Sequence, residues 1–246
     1  MKIALVCIAK NEDFYIEEWV KYHLKLGFDQ IFIYENDWRC TFSDEKVTKI
    51  AFDGKVMQTK AYNHFITNFS DEYQWAAFFD VDEFLVLKKT NNVKNFISDY
   101  EEFNGIGINW HFFGSNNLDK VSDDYKVITR FTKRGSKLNH HIKTILKLNK
   151  TFIMDVHNPH GISIVDTEKR EIRGPSNRKG TDSIAQLNHY FTKTYTEFLK
   201  KVERGRADTK IKREIFEFKN NDLNQVDDYH AFNFMYDITN DSSELK

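Results

Sequence analysis

The sequence predicts an α/β fold built on a doubly wound, mostly parallel sheet flanked by helices, and three observations carry that expectation. Apolar, strand-like runs alternate with helix-spaced segments through the first half of the 246 residues. Several of these runs end in polar clusters, as the ligand-facing carboxyl ends of strands do in open α/β sheets. The run over residues 75–87 is interrupted at its centre by the carboxylates Asp80, Asp82 and Glu83. An unpaired acid inside a buried strand costs several kcal/mol or protonates, so that interruption calls for a compensating partner.

Residues 2–9 read as a fully apolar first strand ending at Lys10-Asn11-Glu12. A helix follows, because Ile16, Trp19, Val20, His23 and Leu24 recur at helical spacing and Gly27 stands where a C-terminal cap belongs. His23 on that face reads as a structural core histidine. Residues 30–35 form the next strand, which makes a strand–helix–strand unit with a right-handed crossover. Residues 47–52 are a third strand and 60–69 a helix; residues 92–103 read as helical and 105–110 as a strand running into His111-Phe112-Phe113-Gly114. Trp110, His111 and Phe112 at that strand end are candidates for an apolar ligand platform or for core.

The second half is less regular. A short helix is expected over 123–133, strands over 144–148, 152–156 and 162–165, and helices over 195–204 and 209–219. Residues 166–182 are polar and carry Arg170, Arg173, Arg178 and Lys179, so they read as a long loop and a candidate lid. One domain over 1–246 is expected, with a nucleotide-binding half over 1–115, a second half over 116–230 that completes the site, and a tail over 231–246.

Charge and cysteines narrow the function classes. With 36 basic against 37 acidic residues and no basic stripe, nucleic acid is not the expected partner. Two cysteines, Cys7 and Cys40, make no disulfide scaffold and suit a reducing compartment. No apolar run reaches the length of a membrane span, and residues 3–9 lack the flanks of a signal peptide. The expected location is the cytoplasm.

In an extended strand Asp80 and Asp82 face the same way with their oxygens roughly 6–7 Å apart, a spacing that suits a hard divalent cation such as Mg²⁺ or Mn²⁺ with positions open to substrate phosphates. The strand ends at Asn11-Glu12-Asp13 and at Asn36-Asp37 offer acids that can hydrogen-bond a base or ribose, and those of the first can equally complement a helix N-terminus, the two readings being compatible.

Read in order, these residues resemble a known family. Cys7-Ile8-Ala9-Lys10-Asn11-Glu12, Glu18-Trp19, Tyr22-His23, Leu26-Gly27, Ile33-Tyr34-Glu35-Asn36-Asp37 and Asp80-Val81-Asp82-Glu83-Phe84 are similar to motifs of the family 92 glycosyltransferases and of bacterial family-2-type glycosyltransferases of GT-A fold. Asn109-Trp110, Phe113-Gly114-Ser115, Lys143-Thr144-Ile145, Val156-His157-Asn158, Asn188-His189-Tyr190, Glu197-Phe198, Lys201 and Asn224-x-Val226-x-Asp228 continue the series. The chain departs from it at Glu35 and Asp37-Trp38, which replace the more usual acid–Asn–Ser run, and at Leu146-Lys147, which lacks the Arg-Pro that tends to follow the Lys-x-Ile strand.

The resemblance implies metal-dependent, inverting transfer of a sugar from a nucleotide-diphosphate donor, usually a UDP-sugar, to a glycan or lipid-linked glycan, in surface polysaccharide or lipopolysaccharide synthesis with contact at the membrane's inner face. Asp82, with Asp80, is then expected to hold Mn²⁺ or Mg²⁺, completed by His189 or His157; Ala9, Asn11, Glu12, Asp37, Asp80, Lys143, Lys193 and Arg204 are donor-contact candidates. Asp228, Asp124 and Glu83 are candidates for the base that deprotonates the acceptor. Two other classes compete: a metal-dependent nucleotidyltransferase or phosphohydrolase, which also uses paired carboxylates, and a non-catalytic carbohydrate-binding protein, which leaves the buried acids unexplained.

Overall fold

The computed structural model describes residues 1–121, 124–148 and 152–238. The first half reads β1 (Ile3–Ala9), α1 (Ile16–Leu26), β2 (Gln30–Glu35), β3 (Val47–Ala51), α2 (Gln58–Phe69), β4 (Trp75–Phe78), β5 (Glu83–Leu87), α3 (Val93–Ser98) and β6 (Gly105–Phe112). After α4 (Val127–Arg130) come the short strands and β-segments β7 (Lys133–Arg134), β8 (Ile142–Lys147), β9 (Ile153–Met154), β10 (Pro159–His160), β11 (Ile164–Val165), β12 (Glu171–Ile172) and β13 (Ala185–His189). The chain closes with α5 (Tyr195–Arg204), α6 (Phe216–Asn221), β14 (Val226–Asp227) and α7 (His230–Met235).

The main sheet runs β12-β11-β6-β8-β4-β1-β2-β3. β3, β2, β1 and β4 are parallel, β8 is antiparallel to both β4 and β6, and β11 lies parallel to β6. The fold is therefore α/β with a mostly parallel sheet, as predicted. Period-two alternation sorts each central strand into two cores. Leu5, Cys7, Ile31, Ile33 and Ala77 pack with Trp19 and Val20 of α1 and Phe96 of α3 on one face. Ala4, Val6, Phe32, Tyr34 and Ala76 pack with Ala61, Tyr62 and Phe65 of α2 on the other. Burial on both faces is why these strands read as continuous apolar runs.

α1 ends where the sequence places its cap: Gly27 sits at φ 105°, and its N–H donates to the carbonyls of α1's last turn. His23 is a core residue, its Nδ1 2.8 Å from the Trp19 carbonyl oxygen. β8, from the second half of the chain, inserts between β4 and β6 of the first.

The acidic run is not one strand. It breaks into β4 and β5 around a turn over 79–82, closed by Glu83 N–H donating to the Asp80 carbonyl at 3.0 Å and Asp80 N–H donating to Glu83 Oε2 at 2.8 Å. β5 leaves the main sheet and pairs antiparallel with β13, while β13 pairs in parallel with the far end of β6. The segment over 209–219 differs as well, because only Phe216–Asn221 is helical. The short helix expected over 123–133 shrinks to α4, and Asp123 lies outside the described residues.

Candidate active site

A cleft of about 910 Å³ opens at the carboxyl ends of β1, β2 and β4. Ala9, Glu12, Asn36, Asp37 and Gly54 line its sheet side, Asp80 and Asp82 its floor, and Trp110, Phe112, His141 and His157 a second wall. Residues 204–213, leading out of α5, form the wall opposite.

Strand register brings the central groups together. His189 stands opposite Glu83 in the β5–β13 ladder and opposite Phe112 in the β6–β13 ladder, beside the turn that carries Asp82. The Tyr190 N–H donates to the Asp82 carbonyl at 2.8 Å and fixes that approach. His189 Nε2 consequently lies 3.5 Å from Asp82 Oδ1, while Lys201 of α5 reaches Asp82 Oδ2 at 2.5 Å and the Phe191 carbonyl at 3.0 Å. Burial pushes the Asp82 carboxyl up, but the Lys201 ammonium and His189 outweigh it and hold it well below the usual carboxylate range. Burial lowers His189, which Asp82 only partly offsets, and brings Lys201 down to about 8. His189 is packed between Trp110 and Phe112, with ring centroids at 4.5 and 5.1 Å, and its Nδ1 is buried without a hydrogen-bond partner.

Asp80 is held differently. Its Oδ1 accepts from Gln58 Nε2 at 2.7 Å and from the Tyr62 hydroxyl at 3.3 Å, and its Oδ2 lies 3.1 Å from Lys143 Nζ. Lys143 also stands 3.8 Å from Glu83; burial would lower its ammonium, but Asp80 and Glu83 raise it above the ordinary lysine range.

Several sequence expectations change here. Lys143 has no exposed side-chain surface, so it braces Asp80 from beneath and does not reach a ligand. Lys193 sits outside the cleft lining with its ammonium 4.4 Å over the Tyr15 ring, and Asn11 turns to solvent at φ 54°. Arg204 does line the cleft, paired with Glu12 and the Lys10 carbonyl, and Asp37 is paired with Lys10 at 3.0 Å.

None of the three base candidates lines the cleft. Glu83 is wholly buried, with burial raising its carboxyl well above the usual range, and its oxygen caps the 79–82 turn. Asp124 accepts from Lys126 N–H and the Thr129 hydroxyl at the start of α4. Asp228 accepts from Arg134 Nε at 2.7 Å and Gln186 Nε2 at 2.9 Å, and it meets His230 Nδ1 at 2.8 Å. It ties the closing segment to β13 and β7. Asn224 completes that tie by accepting from the Asn116 N–H at 2.7 Å.

The 166–182 loop, expected as a candidate lid, does not border the cleft. No residue of it lines the cleft, Asp166 and Thr167 are buried, and Asp182 is anchored to Lys88 at 3.1 Å and His111 at 3.0 Å. His111 therefore faces away from the cleft, while its strand neighbours Trp110 and Phe112 line it. The cleft wall that the sequence hid is the 204–213 segment, because Ile211, Ile215 and Phe218 at its end and beyond keep helical spacing.

The donor set fits a divalent cation at one point. Adjacent ligands on an octahedral ion with bonds of about 2.1 Å sit about 3 Å apart, and Asp82 Oδ1 and His189 Nε2 are 3.5 Å apart with the second Asp82 oxygen already committed to Lys201. Among the described residues no three His, Cys, Asp or Glu side chains converge as a full cage. Ions of the Mg²⁺ type bind through one or two protein groups plus substrate phosphates and need no such cage. His157 stands apart from this pair: its Nδ1 is 2.9 Å from the Ile142 carbonyl, and its ring packs edge-on against Trp110 at 5.2 Å.

Fold and site together define an α/β protein with a charged cleft at the carboxyl edge of its parallel strands. The family model for glycosyltransferase family 92 matches residues 53–231, well over half of the chain, and the chain belongs to that family. Family 92 proteins of Arabidopsis thaliana and Ricinus communis are 24% and 25% identical to it over 79% and 82% of its length, and one of Oryza sativa subsp. japonica is 26% identical over 63%. The chain spans only 29–38% of the length of these relatives. Solved structures aligned with it include S. aureus TarS 1–349, 14% identical over 60% of this chain and 47% of that one at a TM-score of 0.36. Another is the 4-diphosphocytidyl-2C-methyl-D-erythritol synthase of Anaerococcus prevotii, 6% identical over 59% and 70% at a TM-score of 0.34.

Proposed function

We propose that the cleft transfers a sugar from a nucleotide-diphosphate donor, a UDP-sugar, to a hydroxyl of a glycan or lipid-linked glycan, with inversion at the anomeric carbon. The observation that carries this reading is the convergence of Asp82 Oδ1 and His189 Nε2 on the floor of a cleft walled by Lys201, Arg204 and Arg213, in a chain of family 92. Breaking the donor's glycosidic bond leaves a diphosphate with growing negative charge, and preorganised cations stabilise that change most in a partly buried site. A divalent cation between Asp82 and His189 supplies such charge when bound.

The chain's own residues take the remaining tasks. Lys201 neutralises and orients Asp82, and Gln58, Tyr62 and Lys143 hold Asp80 in place. Glu12, Asn36 and Asp37 line the side of the cleft where a nucleoside fits at the β1 and β2 ends. Trp110 and Phe112 offer the acceptor sugar an apolar face. In one displacement the acceptor oxygen bonds to the anomeric carbon as the bond to the diphosphate breaks, and the hydroxyl proton passes to a base. His157 fits that task better than the three acids outside the cleft. Its Nδ1–H donates to the Ile142 carbonyl, which leaves Nε2 as the unprotonated nitrogen; burial, with Lys143 nearby, lowers its pKa to about 4, which keeps the ring neutral and free to accept a proton at pH 7 at the cost of making it a weak base.

This reading carries with it the pathway that the family resemblance implies, surface polysaccharide or lipopolysaccharide synthesis, and two further features support work at a cytoplasmic membrane face. Cys7 and Cys40 are unpaired thiols. Ile211, Ile215 and Phe216 are exposed at or beside the cleft rim near Lys210 and Lys212, an arrangement suited to anionic lipid. Among the described residues no helix is long and apolar enough to cross a membrane.

Incubation with a panel of nucleotide sugars, candidate glycans and Mn²⁺ tests the reading by product. Release of nucleoside diphosphate with a glycan product of inverted configuration is expected, and EDTA abolishes it. Pyrophosphate release instead identifies a nucleotidyltransferase, and full turnover in EDTA overturns the metal assignment.

A further inference from the structure

Arg213 lines the cleft, and nothing above gives its guanidinium a partner. It stands in the irregular 204–213 wall with a side chain only 10% exposed, and its Nε and Nη1 are buried without hydrogen-bond partners. The nearest acid does not satisfy it. Glu217 Oε2 is 3.7 Å from Arg213 Nη1, and both Glu217 oxygens already accept from Arg206 Nη2 at 2.9 Å, with the Glu214 N–H adding a bond at 2.8 Å. A buried guanidinium with idle N–H groups is a poor structural element, because folding strips its water without replacing it.

Its position shows what those groups face. The guanidinium carbon lies 4.8 Å over the ring of Phe191, the ring that also carries Lys201 at 4.4 Å and meets the His189 ring at 5.5 Å. One aromatic side chain thus gathers Arg213, Lys201 and His189 on the Asp82 side of the cleft. A planar fork of free donors beside a second cation matches two oxygens of a diphosphate, the geometry for which arginine surpasses lysine.

We propose that Arg213 is a diphosphate-binding residue of this cleft, donating Nε and Nη1 to the phosphate oxygens of the nucleotide donor and drawing the 204–213 wall onto it. The inference rests on the nucleotide-diphosphate reading of the site and adds a residue and a contact to it. Arg213 acts on the phosphates themselves, so it works with or without a cation between Asp82 and His189.

Calorimetry with UDP, UMP, uridine and inorganic pyrophosphate, each with Mn²⁺ and with EDTA, tests this on the whole chain and on Arg213→Met and Arg213→Lys. Arg213→Met should lose about 10- to 100-fold in affinity for UDP and pyrophosphate in both conditions, with uridine unaffected and Arg213→Lys intermediate. Its ligand-free melting temperature should not fall, since no hydrogen bond of Nε or Nη1 is removed. Equal UDP affinity in all three proteins overturns the inference while the site reading stands. A melting temperature lowered in Arg213→Met and restored in Arg213→Lys, with UDP affinity unchanged, makes the residue structural and overturns it too. A wild-type protein that binds no nucleoside diphosphate from a UDP, GDP, ADP and CDP panel defeats the site reading first, and Arg213's role with it.

Discussion

Two buried ion-pair centres flank α5, and they are built on opposite principles. At the helix's N-terminus Glu197 accepts from Arg130 through both oxygens at 2.8 and 2.9 Å, from the Thr194 N–H and hydroxyl, and from the Tyr15 hydroxyl at 2.7 Å, while Thr194 caps Glu197 N–H in return. Every oxygen lone pair has an employer. One turn further on, Lys201 meets Asp82 in a centre where His189 Nδ1 and two Arg213 nitrogens have none. The first network closes on itself and locks α5 to α4; the second keeps donors idle beside a cleft. Buried side-chain atoms without hydrogen-bond partners also occur elsewhere, at Ser70, Glu83, Trp110, Lys143, Gln186 and Arg206, but His189 and Arg213 are the two that join the Asp82–Lys201 pair through the Phe191 ring.

The comparison breaks most visibly at Glu197. Glu197→Gln leaves the Arg130 guanidinium, 5% exposed, without its counter-charge, and a loss of about 3–5 kcal/mol is expected by urea unfolding at pH 7. Burial opposes the ionised form, but Arg130, Thr194 and Tyr15 lower the Glu197 carboxyl to about 2. Its contribution is therefore present above the ordinary glutamate range and lost as pH falls toward 2, so the variant's deficit should shrink in acid. A constant deficit from pH 7 to pH 2 would assign the loss to packing.

Asp82→Asn tests the open centre. Turnover should drop by about 10²-fold or more, comparable with removal of one charge-stabilising group, while stability changes less than in Glu197→Gln because Lys201 keeps the Phe191 carbonyl and ring. The Mn²⁺-dependent increment in UDP affinity should vanish with it. An increment that survives in Asp82→Asn but is lost in His157→Ala would move the cation across the cleft.

What the sequence displays of this contrast follows from which interactions are local. β1, α1, β2 and the Gly27 cap are written in periodicities and a cap residue that short windows contain. Asp80 and Asp82 stand out because charge inside an apolar run is conspicuous. The break between β4 and β5 is not, since both halves are apolar and only their partners differ: β1 and β8 for one, β13 for the other. Arg213 is hidden for the same reason. Its stretch has helix-like spacing of Ile211, Ile215 and Phe218, and neither Phe191 nor Arg206's capture of Glu217 is visible in that window. Asp228 has the composition of a base, and its engagement by Arg134 and Gln186 comes from residues 94 and 42 positions away.

A third carboxylate sharpens the comparison in the opposite sense. Glu18 of α1 is buried and accepts from the Val127 and Ile128 N–H groups at 2.7 and 3.3 Å, and burial, outweighing those bonds, raises its carboxyl to about 7. The folded state then holds the proton more tightly than the unfolded chain. Stability contributed by Glu18 is full below the ordinary glutamate range and declines as pH rises through 7. Glu18→Gln, which keeps one acceptor for α4 and carries no charge, should gain about 1–3 kcal/mol relative to wild type at pH 8 and little at pH 4. A gain of equal size at both pH values would show that titration is not the cause.

The smallest effect is expected in the 166–182 loop, and it separates basic residues that look alike in sequence. Arg173 and Arg213 both sit in polar, cation-rich stretches between regular elements. Arg173 is 86% exposed, with only Glu171 at 3.2 Å, in a loop whose ends are fixed at Asp166 and Asp182 away from the cleft. Exposed pairs of that kind contribute about 0–1 kcal/mol. Arg173→Ala should leave the urea midpoint and UDP affinity unchanged within error, and UDP with Mn²⁺ should protect the chain from proteolysis over 204–213 without altering cleavage at 166–182. A loss of UDP affinity in Arg173→Ala would mean that the loop reaches the ligand after all. It would also remove the contrast with Arg213, whose burial and idle donors, not positive charge alone, are the reason for expecting it to meet a phosphate.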